Sequence, residues 1–86
     1  MIVHSKLKST VRFAEEAGQR VLRERERLGL RQDELALAAG VSARVIHQIE
    51  HGKATSRLDS LIPVLDALGL TLEIRESLRA PEGPEP

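Results

Sequence analysis

A chain of 86 residues with no cysteine and a formal net charge of zero makes one small domain, which can bury only about 60% of its unfolded surface and has no disulfide, thiolate metal site or cysteine nucleophile. With no Trp or Tyr and one Phe, it lacks the rings on which single strands and RNA loops are stacked. No run is apolar enough to span a membrane, and the opening MIVHSKLKST lacks a signal peptide's apolar stretch, so a cytoplasmic location is expected.

In chain order, residues 1–8 have no clear period and read as a flexible arm, followed by a domain over 9–75 and a disordered tail over 76–86, rich in Pro and Glu. Ser9 or Thr10 is a candidate cap for a long first helix ending at Leu28, with Val11, Ala14, Ala17 or Gly18, Val21, Leu22 and Leu28 at three- and four-residue steps. Gly18 costs roughly 1 kcal/mol of helix propensity relative to Ala, which a close helix contact would explain. Gly29 ends this helix and Leu30 turns into the core. Arg25 falls on the inward side, where its residue type should avoid burial.

The organising stretch is QDELALAAGVSARVIHQIEH, residues 32–51. Leu35, Ala36, Ala39, Val41, Ile46 and Ile49 are spaced for two short helices packed at an angle. Gly40 can take positive φ where the first helix stops, and Ser42 can cap the second. This is the layout of a helix-turn-helix.

A further helix is expected from about Arg57 to Leu68, with Leu58, Leu61, Ile62, Leu65 and Leu68 as its buried stripe. Pro63 predicts either a bend or a regular helix starting only near Ser60, and Gly69 closes it. Leu70, Thr71, Leu72, Glu73, Ile74 and Arg75 then alternate as a half-buried strand does. A single strand must find a partner.

The charges are unevenly placed. Residues 20–57 hold eight Lys or Arg against five Asp or Glu, and residues 58–86 hold two against six. That asymmetry suits a DNA-facing half and an acidic half turned elsewhere.

Residues 28–53 resemble the lambda-repressor-like (Cro and XRE type) DNA-binding domains in their Leu-Gly-Leu entry, Gln-x-Glu-Leu-Ala, Ala-Gly-Val-Ser and Ile-x-x-Ile-Glu-x-Gly-Lys. The following RLDSLIPVLDALGLTLEIRE is similar to the HipB-like antitoxins. The resemblance implies a mainly α fold of four to five helices, with a short C-terminal β-strand pairing across a homodimer. It implies an Arg25–Glu50 ion pair, and base-reading positions at Ala43, Arg44, Val45 and Gln48 on a recognition helix, with His47 also outward. Arg44 suits guanine O6 and N7, Gln48 suits adenine N6 and N7, and Ala43 or Val45 suits a thymine methyl. Gln32 and Ser42 at helix N-termini, with Lys53, Arg57 and Arg31, are candidates for phosphate contacts. Arg31 departs from the family's usual Thr cap, placing a cation where the helix dipole disfavours it, so an external anion such as a DNA phosphate could compensate.

The function implied is a sequence-specific repressor of double-stranded DNA that serves as the autoregulating antitoxin of a kinase-like, HipA-type toxin. Alternatives are a phage- or restriction-type regulator without a toxin, or a protein-interaction module on the same fold. No cofactor and no enzymatic role are expected. His47-Gln-Ile-Glu50-His51 does fit H-x-x-E-H, the zinc pattern of the inverzincin peptidases. A zinc site, however, needs a third ligand and a cleft, whereas Glu50 is assigned inward and His4, the remaining His, lies in the arm.

Overall fold

The computed structural model describes the backbone of residues 4–76 and the side chains from Lys8 onward; residues 1–3 of the expected arm and 77–86 of the expected tail lie outside it. Among the described residues there are four helices, α1 His4–Arg27, α2 Gln32–Ala39, α3 Ala43–Glu50 and α4 Leu58–Ala67. The first begins at His4, not behind a cap at Ser9 or Thr10, so residues 4–8 of the expected arm are helical. No Gly or Pro separates His4 from Thr10. Once nucleated, a helix gains a hydrogen bond for each residue added, and a hydroxyl side chain by itself does not stop it.

α1 packs on α3, and α2 packs on both α3 and α4. Their common core is Val21, Leu35, Ala36, Ile46, Ile49, Leu61, Val64, Leu65 and Leu68, with Leu30, Ala39 and Val41 packed at its margin. Gly18 is buried where α1 crosses the end of α3, the close contact that its helix position needs. Val11 and Leu28, expected on the inward stripe of α1, are instead exposed.

Gly40 takes φ 75°, and Val41 N–H donates to the Ala36 carbonyl at 3.0 Å, closing α2. Ser42, in extended geometry, accepts from Val45 N–H through its Oγ at 3.2 Å and opens α3. The stop and the start therefore occupy neighbouring residues and set the angle between the two helices.

α4 starts at Leu58 and runs through Pro63, neither delayed to Ser60 nor ended by the ring. Its buried stripe is Leu61, Val64, Leu65 and Leu68. Leu58 is 64% exposed and Ile62 is only partly buried, which corrects the expected stripe on one edge. Both stripes share Leu61, Leu65 and Leu68; the position of α2 decides that the Val64 edge is covered and the Leu58 edge is not.

The expected strand over residues 70–75 is not formed among the described residues. Leu70 N–H donates to the Leu65 carbonyl at 2.8 Å, and no backbone group of residues 71–76 bonds another described backbone group. A strand is defined by its neighbour, and within the described chain none lies beside this segment.

Candidate nucleic-acid interface

α3 presents two unlike faces. Ile46 and Ile49 are buried, while Ala43, Arg44 and His47 are exposed and Val45 and Gln48 are half-buried. Val45 packs against the core margin, so less of it is available to a thymine methyl than of Ala43. Arg44 stands on the first turn, and its guanidinium makes no ion pair with any described residue. Arg20, Arg25, Arg27, Arg31 and Arg57 each hold a carboxylate, whereas Arg12, Arg23 and Arg75, like Arg44, hold none among the described residues.

Beneath this face lies a charged tie across three elements. Arg25 Nε donates to Glu50 Oε2 at 2.5 Å and its other nitrogen to Oε1 at 3.0 Å. Its remaining arm donates to the Leu30 carbonyl at 2.8 Å. The Glu50 side chain is 2% exposed and that of Arg25 12%. Burial pushes the Glu50 carboxyl up, but hydrogen bonds from Arg25 and Gln32 outweigh it, and the group stays below its ordinary range. The bidentate fork uses both oxygens, which is what makes a desolvated pair tolerable.

Gln32 belongs to this tie as much as to the surface. Its Nε2 donates to Glu50 Oε1 at 3.0 Å, so the amide expected at a phosphate is half-buried and oriented by Glu50, leaving its carbonyl and second N–H to reach outward. Arg57 is similarly committed. Its guanidinium donates to both oxygens of Asp59 at 2.8 and 2.7 Å, so a phosphate there must compete with that carboxylate. Lys53 is exposed and, among the described residues, holds no carboxylate.

Arg31 has found its anions inside the chain. Its guanidinium donates to Asp33 at 3.1 Å and lies 3.5 Å from Glu34, while its backbone N–H donates to Glu34 Oε1 at 2.8 Å. The external phosphate expected to offset its charge is not needed, because the two acids of the first turn of α2 do so.

A polar pocket beside α3 is lined by Gln48, Lys53, Thr55, Arg57 and Ser60, with Val45 at its edge. Thr55 and Ser60 are not among the phosphate-contact candidates that the sequence offers; the signal for Thr55 is the hydroxyl-rich run Thr55-Ser56-Arg57 between two helical patterns. Ser56 hydroxyl donates to the Lys53 carbonyl at 2.8 Å and Lys53 N–H donates to the Gln48 carbonyl at 3.0 Å, folding the loop back against α3. The arrangement gathers hydroxyls, an amide and a cation next to the outward face of α3.

The rings of His47 and His51 stack with centroids 4.0 Å apart, and His51 Nδ1 donates to the His47 carbonyl at 2.8 Å. Glu50, between them in sequence, points into the tie with Arg25. Among the described residues no three His, Asp or Glu side chains gather as a metal site, and no helix is long and apolar enough to cross a membrane.

The helix-turn-helix family model matches residues 21–74, from the last third of α1 to Ile74 in the segment after α4. Over 50 residues, 58% of this chain, the sequence is 44% identical to an uncharacterized HTH-type transcriptional regulator, y4mF, of Sinorhizobium fredii (strain NBRC 101917 / NGR234). The match spans 66%, just under two thirds, of that protein's length.

Proposed function

Since the chain belongs to the helix-turn-helix family, we propose that it is a sequence-specific, double-stranded-DNA-binding transcriptional repressor that acts as a homodimer, by binding and not by catalysis. The observation that carries this reading is the place of Arg44 on the first turn of α3, exposed, held by no described carboxylate, and kept outward because Ile46 and Ile49 anchor the opposite face. An uncommitted Arg at that place can donate two bonds to guanine in a major groove. Ala43 and Gln48 complete the reading face, while Lys53, Ser42, Thr55 and Ser60 position it on phosphates. The relative's description as a transcriptional regulator supports the regulatory role.

Residues 70–75 of two copies would pair antiparallel across a two-fold axis and set the recognition helices about 34–36 Å apart on a palindromic site. The test is binding of the purified chain to duplex from immediately upstream of its own gene, against scrambled duplex, at two salt concentrations. Tight, salt-dependent preference for the upstream duplex supports autoregulation. Equal weak binding to both overturns it.

The likeness of residues 57–76 to the HipB-like antitoxins extends the proposal to an antitoxin whose partner is a kinase-like, HipA-type toxin. Co-expression with the product of the adjacent reading frame tests this part alone. A stable complex with a kinase-like protein supports it, and an adjacent frame without such a product leaves a regulator with no toxin.

A further inference from the structure

We propose that His47 and His51 are the two protein ligands of an open site for a borderline divalent ion, Zn²⁺ or Ni²⁺, on the outward face of α3.

The two residues are four apart, so their rings rise from one face of the helix, a turn from each other. Both are exposed, and their ring centroids lie 4.0 Å apart with the planes 32° from parallel. An ion about 2.0–2.1 Å from each of two nitrogens sets those nitrogens about 3 Å from one another. Small rotations of two surface side chains reach that spacing from the stacked arrangement. A single turn of helix thus supplies a chelate.

One ring already has the right tautomer. His51 Nδ1 lies 2.8 Å from the His47 carbonyl. A carbonyl oxygen only accepts, so Nδ1 carries the ring proton and Nε2 keeps its lone pair for a ligand bond. Metal-binding imidazoles are oriented in this way, with the second nitrogen donating to a carboxylate or a backbone carbonyl. The same carbonyl accepts from the His51 backbone N–H at 3.1 Å, which ties the ring to the last turn of α3.

The place suits a cation. α3 ends at Glu50 with His51 as its C-cap, and the carboxyl end of a helix carries partial negative charge. Glu50 is turned into the tie with Arg25, so the two rings are what remains of the H-x-x-E-H pattern. Among the described residues no third His, Asp or Glu joins them, and the chain has no cysteine to compete for the ion. A bound ion therefore keeps positions open to water or to an outside donor. Imidazole nitrogens select Zn²⁺ and Ni²⁺ over Mg²⁺, which takes oxygen ligands.

His47 follows Arg44 by three residues and His51 follows it by seven, so the ion stands on the stripe that carries Arg44. A dication there faces the duplex of the reading above and adds to its attraction for phosphates. The site stands on α3 alone, and only this effect on DNA rests on that reading.

In the test, the full chain carrying His4→Ala, in which α3 holds the remaining two imidazoles, is titrated with Zn²⁺, Ni²⁺ and Mg²⁺ by calorimetry. Its melting temperature is read with and without Ni²⁺. One Zn²⁺ or Ni²⁺ per chain and no Mg²⁺ are expected, with a higher melting temperature in Ni²⁺, because an ion held across a folded turn binds the folded state. Either His47→Ala or His51→Ala should weaken binding roughly tenfold or more, since each removes one arm of the chelate. Both side chains are exposed, so helical circular dichroism should be unchanged. Binding undiminished in either variant overturns the site, as does a melting temperature lowered by Ni²⁺. Ni²⁺ should also tighten duplex binding by the His4→Ala chain and not by the same chain with both α3 histidines replaced. No change in duplex affinity overturns the link to DNA and leaves the metal site standing. A chain that binds no duplex with or without the ion overturns the reading on which that link rests.

Discussion

A Cβ on Gly18 would collide with the carbonyl oxygen of Ile49 and stand 3.2 Å from that of Glu50, so α1 meets the last turn of α3 backbone to backbone. Replacing a helical Gly by Ala ordinarily gains about 1 kcal/mol. Here Gly18→Ala is expected to lose about 1–3 kcal/mol, because the two helices must be pushed apart. The midpoint of urea unfolding measures it, and a more stable variant would show that α1 and α3 are not in this contact.

Arg25→Met leaves the Glu50 carboxylate buried without its fork. The expected loss is about 3–5 kcal/mol, much of it recovered in the double variant Arg25→Met with Glu50→Leu, since an apolar pair replaces the ionic one without a stranded charge. Denaturant unfolding of both proteins separates the outcomes. Equal loss in single and double variants would assign the pair a net stabilising role instead.

Acid should destabilise the protein through its paired carboxyls, Glu24 and Glu50 with the exposed Asp33 and Asp59. Glu24, held by hydrogen bonds from Arg27 and Arg20, has its pKa lowered from 4.5 to about 2, and Glu50 is also lowered. Both are depressed in the folded state, so as pH falls the unfolded chain takes up their protons first. Their contribution is present in full above the ordinary carboxyl range and is lost as pH falls through the folded values. The melting temperature is expected to be flat between about pH 5 and 7 and to drop below about pH 4.5, with a shallower drop in Glu24→Gln. A native chain whose melting temperature holds through that range would contradict it.

Arg31 opens α2 without a side-chain acceptor of its own. Arg31→Thr supplies one for the free N–H groups of the first turn and also removes the Arg31–Asp33 pair, which is exposed and worth little. The substitution should stabilise the fold by about 0.5–1 kcal/mol, read as a rise in melting temperature. If instead it destabilises, the contacts from Arg31 to Asp33 and Glu34 hold the turn more firmly than a cap would.

On DNA, Arg44→Ala and Lys53→Ala should fail differently. The first is expected to cost about 1–3 kcal/mol and relax the preference at one base pair, and the second to weaken all duplexes alike and lower the salt dependence by about one unit. Titrations of a panel of single-base operator variants at two salt concentrations distinguish them. Uniform loss in Arg44→Ala would make it a phosphate contact.

Much of the fold is legible in residue types whose reasons are local. Gly40 and Ser42 declare the turn because positive φ and an N-cap are properties of single residues, and the spacing of Leu35, Ala36, Ile46 and Ile49 declares which faces are buried. The length of α1 is less legible: Ser9 and Thr10 look like caps, but a cap residue marks a helix end only if the chain before it leaves the helix. The outward set on α3 follows from period alone. That Gln32 answers to Glu50 and Arg57 to Asp59 does not, because a polar residue at a helix end serves a neighbour or a ligand equally well.

By itself the sequence determined the four helical segments, the stop and start around Gly40 and Ser42, and the outward placement of Arg44, since all are set by chain geometry within a few residues. The tertiary structure decided which edge of α4 is buried, why Gly18 must be Gly, and where the anions for Arg31 come from. Those depend on how closely elements distant in sequence approach, and periodicity along one helix carries no information about the distance to the next.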